Sequence, residues 1–173
     1  MFASCGPRHL SRRAVQSEEV RQVTTAVFIP AFSGYEARVR DSFARQGAMR
    51  LIGARMTDVA PGYCAIELTP RPDLSQQHGY VHAGIVSTIV DSAGGYAGFT
   101  LFPETSSVLT VEFKLNLVAP AGGDRLIAEG FVVKPGRTLA ITRGEVHAER
   151  DGTRTLVALM QQTLMVMHGK ADA

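Results

Sequence analysis

From Ala83 to Phe99 the chain carries a single charged side chain, Asp91, among small and apolar residues. On a helical wheel at ~100° per residue, Ile85, Val86, Ile89, Val90, Ala93, Tyr96 and Ala97 fall on one side, while Gly84, Ser87, Thr88, Gly95 and Gly98 gather around Asp91 on the other. A solvated helix face carries Lys, Glu, Arg or Gln, whereas Gly costs ~1 kcal/mol per helical position relative to Ala. Three glycines on the Asp91 face therefore imply that a strand, a second subunit or a ligand approaches closely. A helix with so broad an apolar side needs one concave partner, and the economical one is a single antiparallel sheet wrapped around it.

The rest of the chain supplies strands for such a sheet. Residues 36–46 read as a first helix, with Val39 and Phe43 four apart on one face, Arg38 and Arg45 off it, and Gly47 ending it. Residues 50–58 and 63–69 read as two extended runs around Ala60-Pro61-Gly62, where Pro fixes φ and Gly takes the positive-φ position. Residues 70–77 make a polar connection into the central helix, which Phe102-Pro103 closes. From Ser107 the period becomes two: Leu109, Val111, Phe113, Leu115 and Leu117 face one way, Thr110, Glu112, Lys114 and Asn116 the other. Three further runs, 125–134, 138–149 and 153–167, are separated by Lys134-Pro135-Gly136-Arg137 and by the hairpin signal Asp151-Gly152. The plan is helix, two strands, long helix, four strands in one domain over residues 35–168, with a flexible or irregular leader at 1–34 and a tail at 169–173.

Composition narrows the function. A net charge of +2, with no basic block interleaved with aromatics, argues against a nucleic-acid partner. No apolar stretch reaches ~18 residues, so no membrane-spanning helix is expected. The two cysteines, Cys5 and Cys64, have neither a disulfide framework nor zinc spacing. No second ligand accompanies His147 at a compatible spacing, so no metal is expected. A reducing, cytoplasmic setting follows; the alternative is mitochondrial, because residues 1–17 hold Arg8, Arg12 and Arg13 without an acid.

The order of elements and the segment Gln76, Gly79, His82, Ala83, Gly84 and Asp91 resemble the hotdog fold, and within it the PaaI-like acyl-CoA thioesterases. That family carries Asn-x-x-Gly-x-x-His-Gly-Gly into the helix and an Asp nine residues after the His; here Gln76 stands for Asn, and Ala83 for the first Gly of the pair. Thr110, the Val118-Ala119-Pro120 end of the same strand and the Gly136-Arg137 turn extend the likeness. The resemblance implies an α+β hotdog fold, with an antiparallel β-sheet around a long central helix, and a thioester hydrolase needing no cofactor. Asp91 would be general base or nucleophile, with Thr110 holding the water and Gln76 orienting carbonyl or water. Ala83 and Gly84 would offer helix-terminal amides to the oxyanion, and His82 would fix the chain entry or donate to the ligand. Lys134, Gly136 and Arg137 would lie near the CoA.

Geometry adds a constraint. His82 and Asp91 are nine residues apart, ~13 Å along a helix at ~1.5 Å rise, too far for one carbonyl to meet both in one chain. The site is therefore expected between protomers of a homodimer, and the family often pairs its dimers into homotetramers. Two rival functions remain: a hotdog hydratase or dehydratase acting on enoyl or hydroxyacyl esters, and a non-catalytic acyl-CoA-binding module. Alternation sets Thr110 beside Glu112, Lys114 and Asn116, on the face that would otherwise be solvent.

Overall fold

The structure, a computed structural model, describes residues 27–170 and 172. Most of the leader, with Cys5, Arg8, Arg12 and Arg13, lies outside the described residues. The elements are α1 (Tyr35–Arg45), α2 (Gly47–Ile52), β1 (Arg55–Ala60), β2 (Tyr63–Leu68), a 3-10 turn (Pro72–Leu74), α3 (Ala83–Phe99), β3 (Ser106–Leu117), β4 (Arg125–Lys134), β5 (Leu139–Arg150) and β6 (Thr153–His168). Six strands form one antiparallel sheet in the order β1-β2-β4-β5-β6-β3.

The sheet wraps α3, which buries Val86, Ile89, Val90, Ala93, Tyr96, Ala97 and Phe99 in the core. The crossing is tight. A Cβ on Gly130 of β4 would sit 2.2 Å from the Ala93 carbonyl oxygen, so only glycine lets helix and sheet meet there. The β1–β2 hairpin turns on Pro61-Gly62 as the sequence implies, with Gly62 at φ +78°. Thr100, just past α3, ties the helix to that turn by accepting from the Gly62 amide at 2.8 Å.

Three expectations need correction. Gly47 does not simply end the first helix: Gln46 is extended (φ −68°, ψ 108°), and Gly47 opens α2. Residues 50–52 are thus helical rather than part of an extended run, because Met49 and Ile52, three apart, are both buried before left-handed Gly53 stops the turn. Arg38 is not on a solvated face. Its guanidinium donates to the Phe99, Phe102, Pro103 and Glu104 carbonyls at 2.7–3.1 Å and stacks over Phe99, capping the C-terminal end of α3.

The third correction concerns β3. Its pairing with β6 shifts register between Thr110 and Glu112, leaving Val111 as a β-bulge. Alternation therefore changes phase in mid-strand. Before the bulge Val108 packs on the core; after it Leu115 does. Thr110 lies opposite Leu164, which is fully buried, while Glu112 lies opposite Thr163. One extra residue thus turns Thr110 inward, away from the face of Glu112 and Lys114.

Candidate active site

Asp91 sits in the middle of α3, where the Thr110 bulge and β6 converge on it. Thr110 Oγ1 donates to Asp91 Oδ1 at 2.8 Å, and Gln162 Nε2 donates to the same oxygen at 2.5 Å. Oδ2 has no hydrogen-bond partner among the described residues and is not sealed from solvent. Burial pushes the Asp91 carboxyl above its ordinary value; the bonds from Thr110 and Gln162 oppose that shift without cancelling it. The result is a carboxylate gripped by one oxygen and open at the other, with raised basicity.

The open side faces a cavity of about 270 Å³ lined by Ser42, Gln46, Asp91, Gly95, Tyr96 and Thr110 among others. A Cβ on Gly95 would meet nothing within 4 Å, so this glycine widens the space beside the acid. At the end away from Asp91, the Tyr96 hydroxyl accepts from Gln46 Nε2 (2.9 Å) and bonds Ser42 Oγ (3.1 Å). Arg45 and Asp172 pair at 2.6 Å and also line the cavity. Gly98, which the helical wheel groups with Asp91, is approached by a strand: its Cβ would lie 2.4 Å from Leu164 of β6.

The N-terminal end of α3 forms a separate cluster. His82 is the N-cap, and its Nδ1 accepts from the Gly84 amide at 2.9 Å. The ring proton must then sit on Nε2, which leaves an exposed donor. The Ala83 amide has no partner among the described residues. Gln76 closes the preceding loop: its amide donates to Tyr80 O, its carbonyl accepts from Gly79, and its side-chain oxygen accepts from the His78 amide. Its own Nε2 has no partner among the described residues.

Solved structures share this architecture. The chain is 49% identical to a thioesterase family protein from Silicibacter pomeroyi, with 79% of this chain and 100% of that one superposed at a TM-score of 0.77. The family model of the thioesterase superfamily matches residues 78–155, from the α3 entry into β6. The chain belongs to the thioesterase superfamily. It is a hotdog-fold thioester hydrolase. The same fold occurs in PaaI from the phenylacetic acid degradation operon of E. coli (16% identity, TM-score 0.71, 79% of this chain and 96% of that one). It occurs also in a thioesterase from Haemophilus influenzae (15%, TM-score 0.72, 82% and 96%).

Within this thioesterase domain Asp91 and Thr110 meet directly. Ala83, at the start of the helix beside His82 and Gly84, lies ~12 Å away, eight residues before Asp91 at ~1.5 Å each, and Gln76 is in the loop that precedes them. Lys134, Gly136 and Arg137 lie together in the exposed β4–β5 turn, where His168 Nε2 bonds the Arg137 carbonyl; neither Lys134 nor Arg137 forms an ion pair among the described residues. That turn lies at the sheet end near Gly62 and Thr100, whereas α3 begins at the opposite end, where Val81 bonds Ala121. One protomer thus keeps its helix-terminal donors, its acid and its basic turn apart. Sequence reading missed Gln162, because Gln161 and Gln162 stand side by side on β6 and only register shows which one points inward.

Proposed function

We propose that this thioesterase hydrolyses an acyl-CoA thioester to the free acid and CoA at a site shared between two protomers, with Asp91 as the activating carboxylate. The observation that carries the reading is Asp91 itself: one oxygen held by two donors, the other open to a cavity, and basicity raised by burial. In the general-base route, Oδ2 takes a proton from water as the oxygen adds to the thioester carbonyl, and the tetrahedral intermediate collapses by expelling the CoA thiolate. In the nucleophilic route, Oδ2 attacks the carbonyl, expels the thiolate, and the anhydride is then cleaved by water. Both routes use the same grip on Oδ1, and both leave Thr110 beside the attacking oxygen.

The developing oxyanion needs donors aimed at it, and the start of α3 supplies them in a second protomer. The Ala83 amide and the His82 Nε2–H are open; Gly84 joins only if the substrate oxygen displaces the imidazole from its amide. Gln76 Nε2 supplies a further donor at the same entrance. Pairing through β3 supports the shared site. β3 is an edge strand twelve residues long whose Leu109 (55%), Val111 (56%) and Phe113 (42%) stand exposed, an edge of the kind that pairs with another strand. A two-fold axis beside antiparallel β3 strands brings the start of one protomer's α3 towards the sheet end that carries the other's β4–β5 turn. Lys134 and Arg137 of that turn then meet the CoA phosphates, with Gly136 allowing the close turn. Pairing of such dimers into a homotetramer, and a cytoplasmic location, complete the proposal.

The far end of the cavity is polar, closed by Tyr96, Gln46 and Ser42, which favours a short acyl group with a hydrogen-bonding end over a long alkyl chain. A thiol-release assay across acetyl-, hydroxyaryl- and palmitoyl-CoA tests the reading. Hydrolysis is expected to be fastest for the short polar or aryl esters and about 10-fold or more slower for palmitoyl-CoA. Binding without thiol release on any ester, or addition of water to an enoyl-CoA, contradicts it.

A further inference from the structure

On β6, Gln162 is buried to 1% exposure, and each of its polar atoms has an assigned task. Thr142 Oγ1, on the neighbouring strand, donates to Gln162 Oε1 at 2.8 Å. The Asp91 carboxylate and carbonyl oxygens can only accept, so Nε2 is the end of the amide that faces α3, and Oε1 is left to accept from the Thr142 hydroxyl. Nε2 donates to Asp91 Oδ1 at 2.5 Å and lies 3.1 Å from both the Asp91 carbonyl oxygen and Thr110 Oγ1. The helix yields room for this contact: a Cβ on Gly94 would fall 2.2 Å from Gln162 Oε1 and 3.1 Å from Thr142 Oγ1. Three elements thus cooperate to bring one neutral amide onto the acid from behind, opposite the cavity.

We propose that Gln162, braced from behind by Thr142, is a positioning residue for the hydrolytic step: it holds Asp91 by Oδ1, presents Oδ2 to the substrate, and favours the ionised acid. This rests on Asp91 being the activating carboxylate. A donor that cannot accept from Asp91 stabilises the carboxylate over the carboxylic acid, so Gln162 helps set the pH at which the enzyme becomes active. The two donors to Asp91 are Thr110 on β3 and Gln162 on β6. The other titratable groups lining the same cavity are Tyr96 on α3, Arg45 on α1 and Asp172 near the chain end, the last two paired with each other. No charged side chain contacts Asp91 among the described residues, which leaves burial and the two neutral donors, Thr110 and Gln162, to tune it.

The test is the pH profile of thiol release, with an acyl-CoA that the wild type hydrolyses, for wild type, Gln162→Met, Thr142→Val and Asp91→Asn, each checked for folding by its thermal transition. Removing a donor to the carboxylate raises its proton affinity, so the acidic limb of kcat/KM is expected to move to higher pH in Gln162→Met. At neutral pH kcat is expected to fall about 10-fold or more while KM stays within about twofold, because the reacting oxygen is misaimed but the acyl pocket is intact. Thr142→Val removes the hydrogen bond that braces the amide from behind and is expected to give a smaller shift in the same direction; it carries the test if Gln162→Met does not fold. A folded Gln162→Met, or failing that Thr142→Val, with the wild-type acidic limb and kcat overturns the proposal while Asp91→Asn remains inactive. Full activity in Asp91→Asn overturns instead the reading of Asp91 on which it rests.

Discussion

Ionising Asp91 works against folding, because burial penalises the charge by more than the donors Thr110 and Gln162 recover. The folded carboxyl binds its proton more tightly than the unfolded one. Its contribution to stability is therefore present below the ordinary carboxylate range and lost as pH rises through the elevated value. Asn at this position still accepts from Thr110 and Gln162 but carries no charge. Asp91→Asn is expected to melt above wild type at pH 7, with the gap closing towards pH 4. A thermal transition that is lower at pH 7, or a gap independent of pH, contradicts this. Asp91 was legible in the sequence because a lone acid on a glycine-lined face has no bland explanation as compelling as its context. Gln162 was not: a buried amide in a strand leaves no periodic mark, and its neighbour Gln161 reads the same.

At the scale of elements, Arg38 of α1 donates four bonds to carbonyls at the end of α3 and in the segment after it, those of Phe99, Phe102, Pro103 and Glu104. This contact, rather than an apolar stripe alone, docks the first helix on the central one and brings Ser42 and Gln46 to the far end of the cavity. Arg38→Ala is expected to destabilise the fold by about 2–3 kcal/mol, measured by denaturant unfolding, since charged donors are lost from partly buried carbonyls. Arg38→Lys, a point charge without the planar fork, is expected to recover less than half of that loss. Periodicity revealed α3 and the four long strands, because each has a single buried side. It could not reveal the Val111 bulge, which changes the phase of β3 without changing its residue types, nor α2, which is too short to show a helical repeat. The bulge mattered most, because it turned Thr110 from the solvent side to the acid.

For the whole molecule, the proposed site is divided. Acid and cavity lie mid-helix, the Ala83 amide without a partner among the described residues lies at its start, and the exposed apolar edge of β3 runs alongside. Like charges placed on that edge oppose pairing across a two-fold axis. Val111→Lys combined with Phe113→Lys is expected to yield a folded monomer by analytical ultracentrifugation, with hydrolysis reduced about 100-fold or more because the oxyanion donors are withdrawn. A fully active monomer contradicts the shared site. The sheet and its central helix were readable because burial imposes period and turns impose breaks. In the sequence, the proposed association rests only on a distance, the ~13 Å that one chain cannot close between His82 and Asp91.

The most direct measurement is the turnover and affinity of wild type and Asp91→Asn on the same acyl-CoA, with binding followed calorimetrically. The charge-neutral variant is expected to bind the ester within about threefold of wild type while kcat falls about 1,000-fold, the mark of a group that acts in the transition state rather than in binding. An Asp91→Asn protein that releases thiol at the wild-type rate would contradict the account.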